Sequence, residues 1–211
     1  LNEKIKDHKF FIVPLGFDEI NQSVESGDVD FALVNPSIYV ELEMKYDVSR
    51  LITLKSQVSG KELIRFGGVI FTSSTNTTIN TLEDIKNKSF VAVDAESFGG
   101  WQTEWKEFLD HGIDPYKEFA KLDFAGTQEQ TVYKVLSGEY DAGATRTGIL
   151  EQLAQEGKIK LSDIKILNQC TSCNFPFLHS TQIYPEWPIA RLSHVDDRLA
   201  HDVALAMMEM K

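Results

Sequence analysis

Apolar runs of four to six residues alternate along this chain with stretches in which apolar side chains recur every three or four positions. Short apolar blocks bounded by turn residues predict strands, and the wider spacing predicts helices with one buried face. Strands are expected at residues 10–15, 29–34, 51–54, 67–72, 90–93, 121–124, 141–145, 164–167 and 178–183. Trp101, Trp105, Phe108 and Leu109 mark a helix closed by Gly112 and Pro115. Val132, Val135 and Leu136 mark another, ended by Gly138, and Ile149, Leu150 and Leu153 a third, ended by Gly157. Leu199, Val203, Met207 and Met210 form a last stripe, with Asp196 as its N-cap. Strands alternating with helices of this length imply an α/β fold of mostly parallel sheets flanked by helices.

One pattern is written twice. Val24-Glu25-Ser26-Gly27-Asp28-Val29-Asp30-Phe31-Ala32-Leu33-Val34-Asn35 returns as Val135-Leu136-Ser137-Gly138-Glu139-Tyr140-Asp141-Ala142-Gly143-Ala144-Thr145-Arg146. In each copy a helix ends at a glycine able to take positive φ, a short strand follows, and a polar residue opens the next helix. Ligands of open α/β sheets bind beyond the carboxyl ends of strands, beside helix N-termini. Two such edges suggest two lobes closing on a ligand; the plainer reading is two unrelated junctions in one sheet. Extended runs at 65–72 and 177–183 read as crossings between lobes. Lobe one is then residues 1–67 plus 178–211 and lobe two residues 68–177, joined by a two-strand hinge that permits closure.

The composition narrows the partners. Lys and Arg number 21 against 32 Asp and Glu, a net charge of −11, which excludes the basic footprint of a nucleic-acid partner. A small anionic ligand must therefore be held by a few local cations and N–H groups against the overall field. No run reaches the roughly 18 apolar residues of a membrane helix, and no signal peptide is present. The polar start at residues 1–9, running straight into Phe10-Phe11-Ile12-Val13-Pro14-Leu15, reads as a piece of a longer chain. There is no Ser-His-Asp elbow, His-Glu-x-x-His, EF loop or Rossmann glycine set, so neither a metal nor a cofactor is expected.

The candidate ligand contacts each have a bland alternative. Asn35-Pro36-Ser37 exposes N–H groups and a hydroxyl at a helix start, although capping alone explains Asn35. Arg146-Thr147 occupies the equivalent place in the second copy. An Arg at a helix start opposes the macrodipole, and its planar fork suits an oxyanion; the alternative is a surface pair with Glu151. Ser97-Phe98-Gly99-Gly100-Trp101 offers a hydroxyl and two glycines that let a ligand approach backbone N–H groups, while Trp101 either walls a pocket or belongs to the core. Arg65 either reaches the ligand from the first crossing or is solvated. His179 reads as a structural histidine. Cys170 and Cys173 form a lone Cys-x-x-Cys, open to a local disulfide, two unremarkable thiols, a redox couple or part of a metal site.

Gly27 through Pro36, Ser97 through Trp101 and Gly138 through Arg146 resemble the phosphonate- and phosphite-binding periplasmic proteins. Arg146-Thr147-Gly148-Ile149-Leu150-Glu151 and Tyr184-Pro185-Glu186-Trp187-Pro188-Ile189-Ala190 resemble the sensor modules of bacterial membrane histidine kinases that detect tetrathionate or thiosulfate. The resemblance implies the two-lobed type II periplasmic binding fold. It implies a periplasmic, non-catalytic sensor domain binding a small sulfur oxyanion between its lobes, with closure as the signal. The helix near Met210 would then lead to a transmembrane segment and a kinase outside this chain, with a homodimer in the full-length protein. The bulky, acid-containing turn Glu96–Trp101 departs from the Ser/Thr-rich turn of transporter-type members and points away from phosphonate. The family's opening strand and helix have no counterpart at the start of this sequence. The alternative is a solute-binding subunit of an ABC transporter for phosphonate- or phosphite-like anions. A thiol-dependent enzyme using Cys170 and Cys173, or a thiol-gated sensor, is a third class.

Overall fold

The computed structural model describes residues 1–171 and 174–210. They form two compact units, Leu1–Lys55 with Glu186–Lys211, and Ser56–Pro185. In chain order the elements are α1 (Phe17–Glu25), β1 (Phe31–Leu33), α2 (Pro36–Tyr46) and β2 (Ser49–Thr53). The second unit then contributes β3 (Ser56–Val58), β4 (Lys61–Leu63), β5 (Arg65–Phe66), β6 (Gly68–Ser73), β7 (Ser89–Ala92), α3 (Thr103–Asp110) and α4 (Pro115–Glu118). It continues with β8 (Lys121–Phe124), α5 (Gln128–Leu136), β9 (Ala142–Arg146), α6 (Ile149–Gln155), β10 (Ile164–Leu167) and β11 (Tyr184–Pro185). The chain returns to the first unit with β12 (Pro188–Arg191) and α7 (Asp197–Met208).

In the first unit, the Glu19 carboxylate accepts the Gly16 N–H at 2.7 Å and so closes the start of α1. The helix stops before Gly27, whose φ of 72° is the expected left-handed conformation; Gly138 after α5 has φ 77°. The sheet runs β1-β12-β2, with both pairings antiparallel. Ile20, Val24, Ala32, Val34, Ile38, Leu42 and Ala190 make its core. The sequence pattern did not single out β12; its only proline is its first residue, a strand position where a missing N–H is tolerated. The strand expected at residues 10–15 does not form. Asn2 takes both backbone groups of Phe10, at 2.7 and 3.0 Å, and Phe11 and Ile12 are exposed.

The second unit holds a five-stranded sheet in the order β10-β6-β9-β7-β8. β7 runs parallel to β8 and β9, but β6 runs antiparallel to both of its neighbours. The sheet is therefore mixed rather than mostly parallel. Between β6 and β7 the chain carries only the 3-10 turn Glu83–Ile85, with no crossover helix to bring it back in the same direction. Ile70, Phe90, Trp101 and Phe108 pack one face, and Val69, Phe71, Val132 and Leu150 the other. Their alternation along β6 is the pleat of a strand covered on both sides.

The strand expected at 178–183 is instead irregular, though residues 179–181 are buried. The Ser180 N–H donates to Gly68 O at 2.9 Å, and the Ser180 hydroxyl accepts the Ile70 N–H at 2.9 Å and donates to Leu167 O at 2.7 Å. A hydroxyl thus replaces the ladder that a strand would have made. The β3–β4 hairpin, also outside the expected strands, turns at Ser59 and Gly60, both at positive φ. Among the described residues, no helix is long and apolar enough to cross a membrane.

Candidate functional site

The second unit assembles a cation, two hydroxyls and a glycine turn. Arg146 ends β9, opposite Gly68 of β6. Gln128, at the start of α5, fixes the end of that strand: its Oε1 accepts the Arg146 N–H at 2.9 Å and the Thr145 hydroxyl at 2.6 Å. Thr147 is tied back to the preceding crossing, donating its N–H to Gly67 O at 3.0 Å while its hydroxyl accepts the Gly67 N–H at 3.2 Å. The Arg146 guanidinium carbon sits 4.1 Å over the centroid of the Phe66 ring. Sequence reasoning passed over both Phe66 and Gln128; the signal for Phe66 was an aromatic directly before a Gly-Gly pair in an extended run.

Ser97 opens a π-helical turn, Phe98–Gln102, in which the Gln102 N–H reaches Ser97 O at 3.0 Å and which feeds straight into α3. The two glycines are there for close approach. A Cβ on Gly99 would lie 2.6 Å from the Phe66 ring and 3.3 Å from Arg146 Cγ, and one on Gly100 would lie 2.5 Å from Val93 Cγ2. The turn therefore rests against Phe66 and the Arg146 stem. The Phe98 ring meets Phe66 and Tyr184 edge to face, with centroids 5.8 and 5.1 Å apart. π-turns recur at functional sites because they leave backbone groups outside the ordinary ladder.

Trp101 is wholly buried among Phe90, Phe108 and Ile113, and its indole N–H donates to Tyr116 Oη at 3.2 Å; its ring is core and not a pocket wall. Arg65 is exposed, because neighbouring strand residues point to opposite sides and Phe66 takes the inward one. Glu151 does not pair with Arg146. One of its oxygens accepts the Leu178 N–H at 2.7 Å, and the other is buried without a partner. In the first unit, Asn35 caps α2, its Oδ1 accepting the Ile38 N–H at 3.0 Å, and half-buried Ser37 follows Pro36 in a first turn with no acidic residue.

Glu104, on α3, was not anticipated. It is fully buried, three residues from Trp101 and four from Phe108, so an acid interrupts an apolar stripe in plain view of the sequence. One oxygen accepts the Thr103 hydroxyl at 3.0 Å and the other has no partner. A Cβ on Gly68 would overlap that carboxylate. Burial pushes its pKa well above the usual carboxylate range, outweighing the hydrogen bonds that pull it down.

Cys170 is disulfide-bonded, and Cys173 lies outside the described residues. A bonded sulfur offers no thiolate for attack on a substrate. His179 is buried, its Nδ1 3.0 Å from Phe177 O and its Nε2 without a partner. No cluster of three or more metal-ligating side chains occurs among the described residues.

The family described as "ABC transporter, phosphonate, periplasmic substrate-binding protein" matches residues 1–211. The tetrathionate sensor histidine kinase TtrS of Salmonella typhimurium (strain LT2) is 31% identical over 209 residues, covering 98% of this chain and 35% of that protein. The chain thus spans about a third of the length of this relative. Among solved structures, PhnD1 from Prochlorococcus marinus in complex with methylphosphonate has a TM-score of 0.71 at 16% identity, covering 95% of this chain and 71% of that one. XAC2383 from Xanthomonas citri bound to ATP also gives 0.71, at 14% identity over 91% of this chain and 68% of that one. The probable amino-acid ABC transporter extracellular-binding protein YtmK from Bacillus subtilis gives 0.59, at 17% identity over 99% and 76%. These likenesses show the fold of type II periplasmic binding proteins. The chain belongs to the phosphonate-binding family of periplasmic substrate-binding proteins.

Proposed function

We propose that this chain is the extracytoplasmic ligand-binding domain of a two-component sensor histidine kinase, and that its ligand is a small sulfur oxyanion, tetrathionate or thiosulfate. The observation that carries the reading is the 31% identity to the tetrathionate sensor kinase along 209 residues. The kinase, the transmembrane segment and a homodimer belong to this proposal and lie outside the chain.

Arg146 is the proposed cation. A guanidinium presents parallel N–H donors that match two oxygens of a sulfonate-type group, and charge-assisted bonds of this kind are the strong ones. The Thr147 hydroxyl and the Ser97–Gly100 turn supply further donors; Asn35 and Ser37 are the donor group proposed on the first unit. The Cys170 disulfide fits an oxidising compartment.

Calorimetric titration with sodium tetrathionate, thiosulfate, sulfate and methylphosphonate tests this. Micromolar binding of the first two, about 8 kcal/mol, is expected. Arg146→Ala should weaken it by about 10- to 100-fold, the loss of a hydrogen bond or two to a charged group, with little change in melting temperature. Unaltered affinity rejects the role of Arg146.

The second reading is a solute-binding subunit of an ABC transporter, favoured by the family's own description. Binding of methylphosphonate without the sulfur oxyanions selects it.

A further inference from the structure

We infer that Phe66 is a positioning residue: its ring is the seat that holds the Arg146 guanidinium in the one orientation suited to gripping an oxyanion. The inference rests on the reading of Arg146 as the ligand's cation.

Phe66 is 1% exposed, yet it lies on the two-residue strand β5 rather than in either of the two large apolar clusters of its unit. Its surroundings are specific. The Arg146 guanidinium carbon is 4.1 Å over one ring face. The Gly99 backbone approaches so closely that a methyl there would fall 2.6 Å from the ring. Phe98 meets its edge, at an interplanar angle of 70°, and strand pairing sets Tyr184 opposite.

A cation over an aromatic face is attracted by the ring quadrupole. Because the donors of a guanidinium lie in its own plane, stacking consumes none of them. The stem is confined as well, since Arg146 Cγ runs along Gly99. An arginine otherwise gives up much rotamer freedom on gripping a ligand. Stacking on Phe66 and packing along Gly99 restrict that freedom within the unit itself.

The test pairs a measurement of order with one of affinity. In the wild type, the Arg146 Nε–Hε resonance (assigned by its absence in Arg146→Ala) should be shifted upfield by the Phe66 ring and show backbone-like order. Phe66→Leu should abolish both signatures and weaken tetrathionate binding about 2- to 10-fold, the cost of immobilising one rotamer-rich side chain on binding. Phe66→Tyr, which keeps the face, should retain both. Gly99→Ala, whose methyl displaces the ring, is a second route to the same loss should the leucine variant fold poorly. Unchanged Nε order in Phe66→Leu overturns the inference. So does wild-type affinity in Phe66→Leu where Arg146→Ala loses binding. If Arg146→Ala and Phe66→Leu both bind as wild type, it is the role of Arg146 that has failed. If the wild type gives no tetrathionate isotherm, the ligand reading fails, and the Nε order alone decides the seat.

Discussion

A carboxyl group shut away from water holds its proton where its hydrogen bonds are too few to offset burial, and Glu104 is such a group. In the unfolded chain it ionises near its ordinary value of 4.5; in the fold, burial keeps it neutral well above that. Its contribution to stability is therefore intact below about pH 4.5 and is lost progressively as pH rises towards the folded value. Glu104→Gln is neutral throughout. The melting temperature of the wild type should fall relative to this variant from pH 4.5 to 8 by scanning calorimetry; a gap constant across that range would contradict it. Ser180 poses the opposite case, a buried hydroxyl with both roles filled. Ser180→Ala orphans the Ile70 N–H and should cost about 1–3 kcal/mol in urea unfolding; a change below ~0.5 kcal/mol would mean that another group satisfies that N–H.

Features that a few neighbouring residues decide were legible in the sequence. Asp196 caps α7, accepting the Arg198 and Leu199 N–H groups at 2.9 and 3.3 Å. Asp196→Ala should accordingly destabilise the first unit by about 1 kcal/mol, measured as a lower urea midpoint. The stops at Gly27 and Gly138, the strands β8 and β10 and the helical stripe of α5 were readable for the same reason: each is written locally. What escaped was written across distance. β12 is a strand only because β1 and β2 flank it, from more than 130 positions away in the chain. Residues 10–15 carry strand-like apolarity but meet no sheet edge among the described residues, so their backbone turns to Asn2. In the candidate site, Arg146 and the glycine turn announced themselves by residue type. Phe66 and Gln128 did not, since an aromatic and an amide mean nothing until β5, β9 and α5 bring them beside Arg146.

The net charge of −11 acts on the whole molecule. The proposed dianionic ligand would meet a repulsive long-range field on its way to Arg146, its proposed cation, so added sodium chloride should raise the association rate measured by stopped flow. A rate that falls with salt would mean that local cations dominate the approach. Chain order matters at this scale as well. The second unit is one continuous stretch, 56–185, whereas the first is split between both ends. A fragment of residues 56–185 should therefore fold and unfold cooperatively alone; deleting residues 186–211 should leave β1 and β2 without the strand that joins them, and abolish only the first unit's ordered signals by NMR. The placement of β12 also sets a timetable. On the ribosome the inserted unit can finish as soon as residue 185 is clear, while Ile38 and Leu42 wait uncovered for the strand at 188–191. Of the two units, the one begun first is the last to mature, and any holding factor that guards the nascent chain should be found on residues 31–53.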